Sequence, residues 1–149
     1  AIVCENEKMR ERIRREITAC GVTSGNVFAL AATRAAYTDC DEWLDGLKAY
    51  LMENRDFVMK YARENFPKVV VTPLEATYLM WLDCSALGMT SDEIQKTLAD
   101  HYGIAVGGGT SYGGDGEHFL RFNFGCPRKR LEEGMEKLVQ FVSDWRKGV

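Results

Sequence analysis

Pro67 separates two kinds of sequence pattern and limits what this chain can fold into. Before it, over residues 41–66, apolar side chains recur at helical spacing. The predicted helix ends at Pro67, because proline lacks a backbone N–H and its ring clashes with the preceding turn. About 25 residues at about 1.5 Å each give a helix roughly 37 Å long, longer than a small domain is wide. Such a helix connects two lobes or forms one arm of a bundle.

After this proline the pattern changes to short β-rich runs that alternate with helices. A capping box, Thr90 with Glu93, opens one helix, and Gly103 closes it. A last helix follows Pro127. In chain order the predicted strands are 69–71, 77–82, 104–106 and 118–124. Residues 68–149 are therefore predicted to form an α+β unit in the order strand, strand, helix, strand, strand, helix.

The elements predicted before residue 40 need more packing and pairing partners than this chain offers. Residues 6–20 predict an amphipathic helix with one solvated face of mixed charge. From Val27 to Tyr37 the sequence is almost entirely apolar or alanine, and a helix without a polar face needs cover on nearly every side. The chain also opens with Ile2-Val3-Cys4, a predicted strand with nothing before it. We therefore expect this chain to be a portion of a longer protein.

Composition and charge exclude several classes of function. The 149 residues carry a formal charge of −3, which disfavours a nucleic-acid surface. No apolar run approaches the roughly 20 residues of a membrane span. Five cysteines without a C-x-x-C pair, and only two histidines, argue against a disulfide framework and a metal centre. The sequence predicts a soluble domain from a reducing, cytoplasmic compartment.

A glycine-rich loop is the first candidate for chemistry. Half of the 14 glycines lie between Gly103 and Gly116, yet the segment matches neither the G-x-G-x-x-G fingerprint nor a P-loop. The loop either is a flexible connection or brings its backbone close to a ligand, which glycine permits because it has no side chain.

The strand after this loop carries an arginine at its middle. Alternation places Arg121 on the face opposite Leu120 and Phe122. Its planar fork suits a carboxylate and is costly to bury unpaired, so we expect either an internal Asp or Glu or a ligand carboxylate beside it. His118 is interpreted as structural more readily than as a base, and residues 128–130 as a solvated run. No nucleophile–histidine–acid set is visible.

Three stretches resemble a known enzyme family. Residues 73–83, PLEATYLMWLD, resemble a strand motif of class I/II aminotransferases, within the fold-type I superfamily of pyridoxal-phosphate (PLP) enzymes. They are most similar to its cystathionine β-lyase-like (C–S lyase) branch. From Gly107 to Leu138, GGGTSYGGDGEHFLRFNFGCPRKRLEEGMEKL resembles that branch's carboxyl-terminal signature. The earlier GNVFALAATRAAY is also similar, so the resemblance covers essentially the whole chain. At Gly108 many relatives carry proline instead.

The resemblance implies an α+β fold of the α/β PLP-transferase type. In it, residues 1–40 are the end of the large domain, and residues 41–67 are a long inter-domain helix. Residues 68–149 are the small domain, with a three- to four-stranded sheet covered by helices.

The resemblance also implies roles for individual residues. An arginine on the strand after the glycine-rich loop binds the substrate α-carboxylate in the family, and it matches Arg121. Tyr112 and Thr110 would sit at the substrate entrance. Ser24 and Asn26 would lie near a dimer interface, close to the partner's active site. No catalytic residue is expected in this chain.

The cofactor implied by the resemblance is PLP, bound through a lysine that would fall before Ala1. We therefore expect no PLP on this chain and no activity from it alone. The intact enzyme would be a homodimer that acts on an amino acid such as cystathionine, by β-elimination or by transamination, which the sequence does not separate. Two alternatives stay open: a stand-alone amino-acid-binding or regulatory module, and a helical adaptor built on residues 41–66.

Overall fold

Two units make up the chain in the computed structural model, one up to Asp45 and one from Gly46 onward. The structure describes residues 2–21 and 25–147. Within these residues, no helix is both long enough and apolar enough to cross a membrane.

The first unit contains two complete helices. α1 (Glu7–Ala19) is amphipathic, and α2 (Val27–Thr38) is almost entirely apolar. The large side chains of α2 stay exposed, with Phe28 keeping 78% and Leu30 82% of their accessible surface. Residues 2–4 do not form the predicted strand, because no strand of the described first unit pairs with them. The uncovered apolar helix predicted from the sequence is observed.

The second unit is built on a four-stranded antiparallel sheet in the order β1-β2-β4-β3. Its strands are β1 (Val70–Val71), β2 (Leu79–Asp83), β3 (Gly107–Gly108) and β4 (Phe119–Asn123). The pairing of β2 with β4 is the longest and sets Trp81 opposite Arg121. β3 adds a short edge, with Gly107 opposite Arg121 and Gly108 opposite Leu120.

Alternation along the two central strands gives the sheet one core face. The buried side chains on this face are Met80, Leu82, Leu120 and Phe122. The helices that contribute apolar side chains to the same core are α3 (Asp41–Asn65), α4 (Ser91–Thr97) and α5 (Arg128–Lys147). The predicted fold class, an α+β unit whose three- to four-stranded sheet is covered by helices, is confirmed.

One predicted strand lies elsewhere in the structure. The pattern predicts a strand at residues 104–106, but β3 forms at the two glycines that follow. Gln95 of α4 donates its side-chain N–H to the carbonyl oxygen of Val106 at 2.7 Å, which ties this segment to the helix instead of the sheet. α4 itself continues as one π-helical turn, Leu98–Tyr102. Of the predicted strand, Val106 is buried in the core and Ile104 packs against it. Gly107 and Gly108 pair with β4 instead, because glycine allows a close approach of the two backbones.

The glycine-rich loop between β3 and β4 packs backbone against backbone. A Cβ on Gly109 would lie 2.2 Å from the carbonyl oxygen of Gly116 and 2.7 Å from that of Phe119. A real side chain does not fit at such distances, so this approach requires glycine. At this position the absence of a side chain serves contact within the loop.

α3 fixes the turn between β4 and α5. The buried amide of Asn54 donates to the carbonyl oxygens of Phe124 at 3.2 Å and Cys126 at 3.0 Å. The Tyr50 hydroxyl accepts the backbone N–H of Arg128, at the start of α5, at 2.6 Å. The Cys126 carbonyl oxygen and the Arg128 N–H therefore find their partners on a helix more than 70 residues earlier in the chain. The Phe124 carbonyl oxygen, which also accepts the N–H of Cys126 at 2.9 Å, gains a second donor.

Replacing Asn54 by alanine should lower the free energy of unfolding by roughly 1–3 kcal/mol, because the Cys126 carbonyl oxygen loses its donor and the Phe124 carbonyl oxygen keeps only the N–H of Cys126. Asn65→Ala is the matched control on the same helix, since the Asn65 side chain donates at an exposed site to Tyr61 O. It should change stability by less than about 0.5 kcal/mol. Urea unfolding of both variants measures the difference, and equal effects would contradict the assigned role of Asn54.

Gly109→Ala should destabilise the second unit by about 1–3 kcal/mol, because the new methyl group overlaps two backbone oxygens. Gly134→Ala, on α5, is the control: a Cβ there meets no atom within 4 Å. It should raise stability by up to about 1 kcal/mol through helix propensity. Thermal or urea unfolding gives both values. A Gly109→Ala protein as stable as the parent would show that the loop is not packed as described.

Candidate functional site

Arg121 occupies the middle of β4 on the sheet face opposite the core. Its neighbours Leu120 and Phe122 are buried, whereas Arg121 is half-buried. Trp81 lies opposite it on β2, and Gly107 lies opposite it on β3. The predicted alternation is therefore observed. It sets the guanidinium between a strand with an aromatic ring and a strand position without a side chain.

The ring of Tyr112, from the glycine-rich loop, covers the guanidinium of Arg121. Arg121 Cζ lies 4.3 Å from the ring centroid, well within cation–π distance. A Cβ on Gly107 would lie 2.9 Å from Tyr112 Oη, so the missing side chain leaves the space that the ring occupies. Trp81 meets the same ring edge-on, with centroids 5.4 Å apart and an interplanar angle of 83°.

The hydrogen-bonding edge of Arg121 has no partner in the part of the chain that the structure describes. No carboxylate oxygen comes within 4.0 Å of its guanidinium, and its side chain donates no hydrogen bond to another residue. The N–H groups lie in the plane of the guanidinium, so a ring stacked on the flat face leaves them free. Of the two partners expected for Arg121, an internal acid is not supplied by residues 2–21 or 25–147.

Thr110 lies on the same loop, and its hydroxyl is engaged by α4. It donates to Asp92 Oδ1 at 2.8 Å. The start of α4 is held by a capping box, in which Thr90 Oγ1 accepts from the Glu93 N–H and the Glu93 carboxylate accepts from the Thr90 N–H at 2.8 Å. A capped helix therefore anchors the loop that carries Tyr112.

The ionisable groups near the start of β4 have structural partners. The Nδ1 of His118 lies 2.9 Å from the carbonyl oxygen of Met89, which can only accept, so this nitrogen donates. Hydrogen bonds from the hydroxyl and the N–H of Ser85 hold the pKa of Asp83 below its ordinary value. Burial raises the pKa of the Cys84 thiol to about 12, which keeps it protonated and unreactive. These residues do not assemble a nucleophile with a base.

Three candidates from the sequence remain: Ser24, Asn26 and Arg128. Ser24 falls outside the described residues. Asn26 caps α2, its side-chain oxygen accepting the N–H of Phe28 at 2.8 Å. Arg128, predicted to be part of a solvated run, is half-buried with its guanidinium 4.7 Å from the ring centroid of Phe57.

Sequence reasoning missed two residues of the Arg121 site, Trp81 and Gly107. Alternation along the predicted strand 77–82 puts Trp81 on one face, but only the register of β2 against β4 sets it opposite Arg121. Gly107 was one of many glycines in the loop, and its position beside Arg121 depends on the pairing of β3. Register was the missing information in both cases.

This architecture is that of fold-type I PLP-dependent transferases, and the solved structures similar to it include PLP-containing enzymes. The chain belongs to the class I and II aminotransferase family, whose sequence model matches residues 1–138. The resemblance found in the sequence is confirmed.

Two curated relatives give the extent of the similarity. The chain is 36% identical over 122 residues to Protein MalY of Escherichia coli (strain K12), and 32% identical over 143 residues to cystathionine beta-lyase PatB of Bacillus subtilis (strain 168). The alignments cover 82% and 96% of this chain but only 31% and 37% of the relatives. The chain thus spans about a third of the length of these two proteins.

Two crystal structures extend the comparison to three dimensions. A PLP-bound protein from Clostridium difficile 630 matches with a TM-score of 0.88 at 36% identity, over 92% of this chain and 35% of that one. Cystalysin from Treponema denticola, which contains pyridoxal 5'-phosphate, matches with a TM-score of 0.80 at 28% identity. This second match covers 95% of this chain and 36% of cystalysin.

Within the described residues, no lysine lies in an enclosed site of the kind that holds PLP. Enzymes hold this cofactor through a Schiff-base lysine in a site that excludes competing reactions. All eight lysines of the chain are exposed, so none is enclosed as such a lysine must be. Among the described residues, no group of three or more His, Cys, Asp or Glu side chains could hold a metal ion.

The capping box that anchors the loop should make stability pH-dependent. Hydrogen bonds from the Thr90 N–H and hydroxyl hold the pKa of Glu93 below its ordinary value of 4.5. A lowered folded-state pKa gives stability that is present above the unfolded pKa and is lost as pH falls through the folded one. Glu93→Ala should therefore destabilise the protein at pH 7 and do so less at pH 3. Glu136→Ala, at an exposed position of α5, is the control. Urea midpoints at both pH values test this, and an effect of Glu93→Ala independent of pH would contradict it.

Proposed function

We propose that this chain is the carboxyl-terminal portion of a PLP-dependent aminotransferase or C–S β-lyase, in which Arg121 clamps the α-carboxylate of the amino acid substrate. Membership of the aminotransferase family and the similarity to cystathionine beta-lyase PatB support this class of reaction. The span of about a third of the relatives' length supports the assignment as a portion. The observation that carries the proposal is Arg121 itself, half-buried and stacked on Tyr112, with its donor edge unpartnered.

A carboxylate is the ligand that this arrangement suits best. A guanidinium binds a carboxylate through two parallel N–H···O bonds, which fix the orientation of the ligand as well as its position. Tyr112 removes water from one face of the guanidinium, and charge-assisted hydrogen bonds are stronger where water is excluded. Arg121 therefore binds and orients the substrate. Orientation of this kind contributes to rate but does not replace the chemistry of a cofactor.

The proposal divides the chain into three parts. Residues 1–40 are the end of the large domain, residues 41–67 the inter-domain helix, and residues 68–149 the small domain. The exposed apolar surface of α2 supports the first assignment, since such a helix needs cover. The sheet with its own core supports the last.

Four further residues have proposed places. Tyr112 and Thr110 lie at the substrate entrance, and the cation–π contact of Tyr112 with Arg121 supports its assignment. Ser24 and Asn26 lie near the interface of a homodimer, close to the partner's site.

PLP and its lysine belong to the portion of the protein that precedes this chain. The exposure of all eight lysines supports this, and on this proposal the chain alone is inactive. Mixing the purified chain with PLP and L-cystathionine should release no pyruvate above the level of PLP alone. Pyruvate release that depends on the chain would overturn this part of the proposal. A rise in the melting temperature of the chain with L-cystathionine, without PLP and without catalysis in the complete protein, would favour an amino-acid-binding module.

Arg121→Lys in the complete protein should raise the KM for L-cystathionine by roughly 10- to 100-fold, because lysine keeps the charge but loses the two-pronged fork. Arg128→Lys is the matched control, since Arg128 also stacks on an aromatic ring but lies at the start of α5 and on Phe57 instead of Tyr112. It should leave KM unchanged. Pyruvate release measures β-elimination, and amino transfer to a 2-oxo acid measures the alternative reaction.

Equal KM values in the Arg121→Lys and parent proteins would show that Arg121 is not the carboxylate clamp. Whichever of pyruvate or amino-transfer product predominates assigns the reaction type, which leaves the clamp assignment intact.

A further inference from the structure

We propose that Tyr112, held between Gly107 and Trp81, is a positioning residue that fixes the plane of the Arg121 guanidinium. The inference rests on the proposed carboxylate clamp and adds to it how the clamp is oriented. Arg121 has no ion-pair or hydrogen-bond partner among the described residues, so the aromatic contact is what restrains its guanidinium there. An arginine side chain without such restraint has several rotatable bonds and loses rotamer freedom on binding.

The contact restrains the guanidinium without competing for its ligand. The ring of Tyr112 sits over the flat face, whereas a carboxylate binds along the edge, where the N–H groups lie in the plane. A carboxylate of this chain in the same place would have bound along that edge and blocked it. Stacking is therefore the restraint that leaves the arginine both oriented and available.

Two neighbours define the place of Tyr112: Trp81 contacts its ring, and Gly107 leaves room for it. Trp81 presents its ring edge-on at 5.4 Å, which is a favourable aromatic geometry. On the other side, Gly107 supplies open space: a Cβ there would lie 2.9 Å from Tyr112 Oη and 3.4 Å from Tyr112 Cε2. A methyl group at residue 107 would crowd the ring and would also lie 3.3 Å from Arg121 Cβ, so it would disturb the contact between Tyr112 and Arg121. This gives Gly107 a role separate from the packing role of Gly109.

The backbone on either side of Tyr112 is anchored as well. The Thr110 hydroxyl, before Tyr112, donates a hydrogen bond to Asp92 of α4, and Gly109 packs against Gly116, which follows Tyr112 in the same loop. The Tyr112 hydroxyl donates to none of the described residues, so the ring alone carries the proposed role. Phenylalanine should therefore replace tyrosine at residue 112.

The side-chain Nε–Hε signal of Arg121 in the ¹⁵N-arginine-labelled chain tests the geometry directly. The Tyr112 ring current should shift this signal from its random-coil position, and Arg121→Lys identifies the signal by removing it. Tyr112→Ala should return it toward the random-coil position, and Tyr112→Phe should not. Gly107→Ala should behave like Tyr112→Ala, and Gly134→Ala should behave like the parent. The signal of Arg128, stacked on Phe57, is the internal control and should stay in place.

Titration with L-alanine, monitored on the same signal, tests the consequence for binding. Tyr112→Ala and Gly107→Ala should raise the apparent Kd for L-alanine by about two- to fivefold, which corresponds to the free energy of a partly exposed cation–π contact. Tyr112→Phe should keep the parent affinity. In the complete protein, Tyr112→Ala should raise KM by a similar factor and leave kcat unchanged, because uniform binding is lost. A general packing defect would not be rescued by phenylalanine in both assays.

The outcomes separate this inference from the proposed function. If L-alanine binds the parent and the Arg121→Lys chain equally, the carboxylate clamp fails. If Arg121→Lys abolishes binding while Tyr112→Ala leaves the Arg121 signal and the Kd unchanged, the clamp stands and the positioning role of Tyr112 is overturned. Should the isolated chain give no resolved arginine signals, the KM comparison of Tyr112→Ala with Tyr112→Phe in the complete protein decides.

Discussion

The antiparallel pairing of β2 with β4 is the contact on which the rest of the second unit depends. Because side chains alternate along a strand, one register decides both faces at once. On one face it buries Met80 and Phe122 in the core, and on the other it sets Trp81 opposite Arg121. A slip of one residue would exchange the two faces, bury a guanidinium and expose the core. Core stability and the arginine site are therefore fixed by the same register.

The site that this register builds presents a cation stacked on an aromatic ring. Arg121 receives restraint from an aromatic ring and leaves its donor edge free. No catalytic set accompanies it in the described residues, where His118 and Cys84 have structural roles. The carboxylate clamp that we propose binds and orients a substrate, and it leaves the chemistry to the rest of a larger enzyme. The chain is similar to about a third of each curated relative, which agrees with the proposal that it is a portion of a longer enzyme.

Local patterns were sufficient for much of the fold. The capping box at Thr90 and Glu93, the long helix that ends before Pro67, and the alternation around Arg121 depend on neighbours in sequence, and all are present. The strand predicted at residues 104–106 was wrong. Its side chains favour a strand, but the carbonyl oxygen of Val106 accepts a hydrogen bond from the Gln95 side chain on α4 instead of pairing in the sheet. Propensity describes what a segment prefers alone, and tertiary contacts override it.

The sequence by itself determined the order of elements in the second unit, the apolar surface of α2, and an arginine at mid-strand whose guanidinium suits a carboxylate. Tertiary structure alone decided that Tyr112 stacks on that arginine, that Gly107 leaves room for the ring, and that Trp81 contacts the ring edge-on. The physical reason is distance along the chain. Helix periods and strand alternation repeat over a few residues, whereas the site joins positions 81, 107, 112 and 121, which only strand register and loop packing bring together.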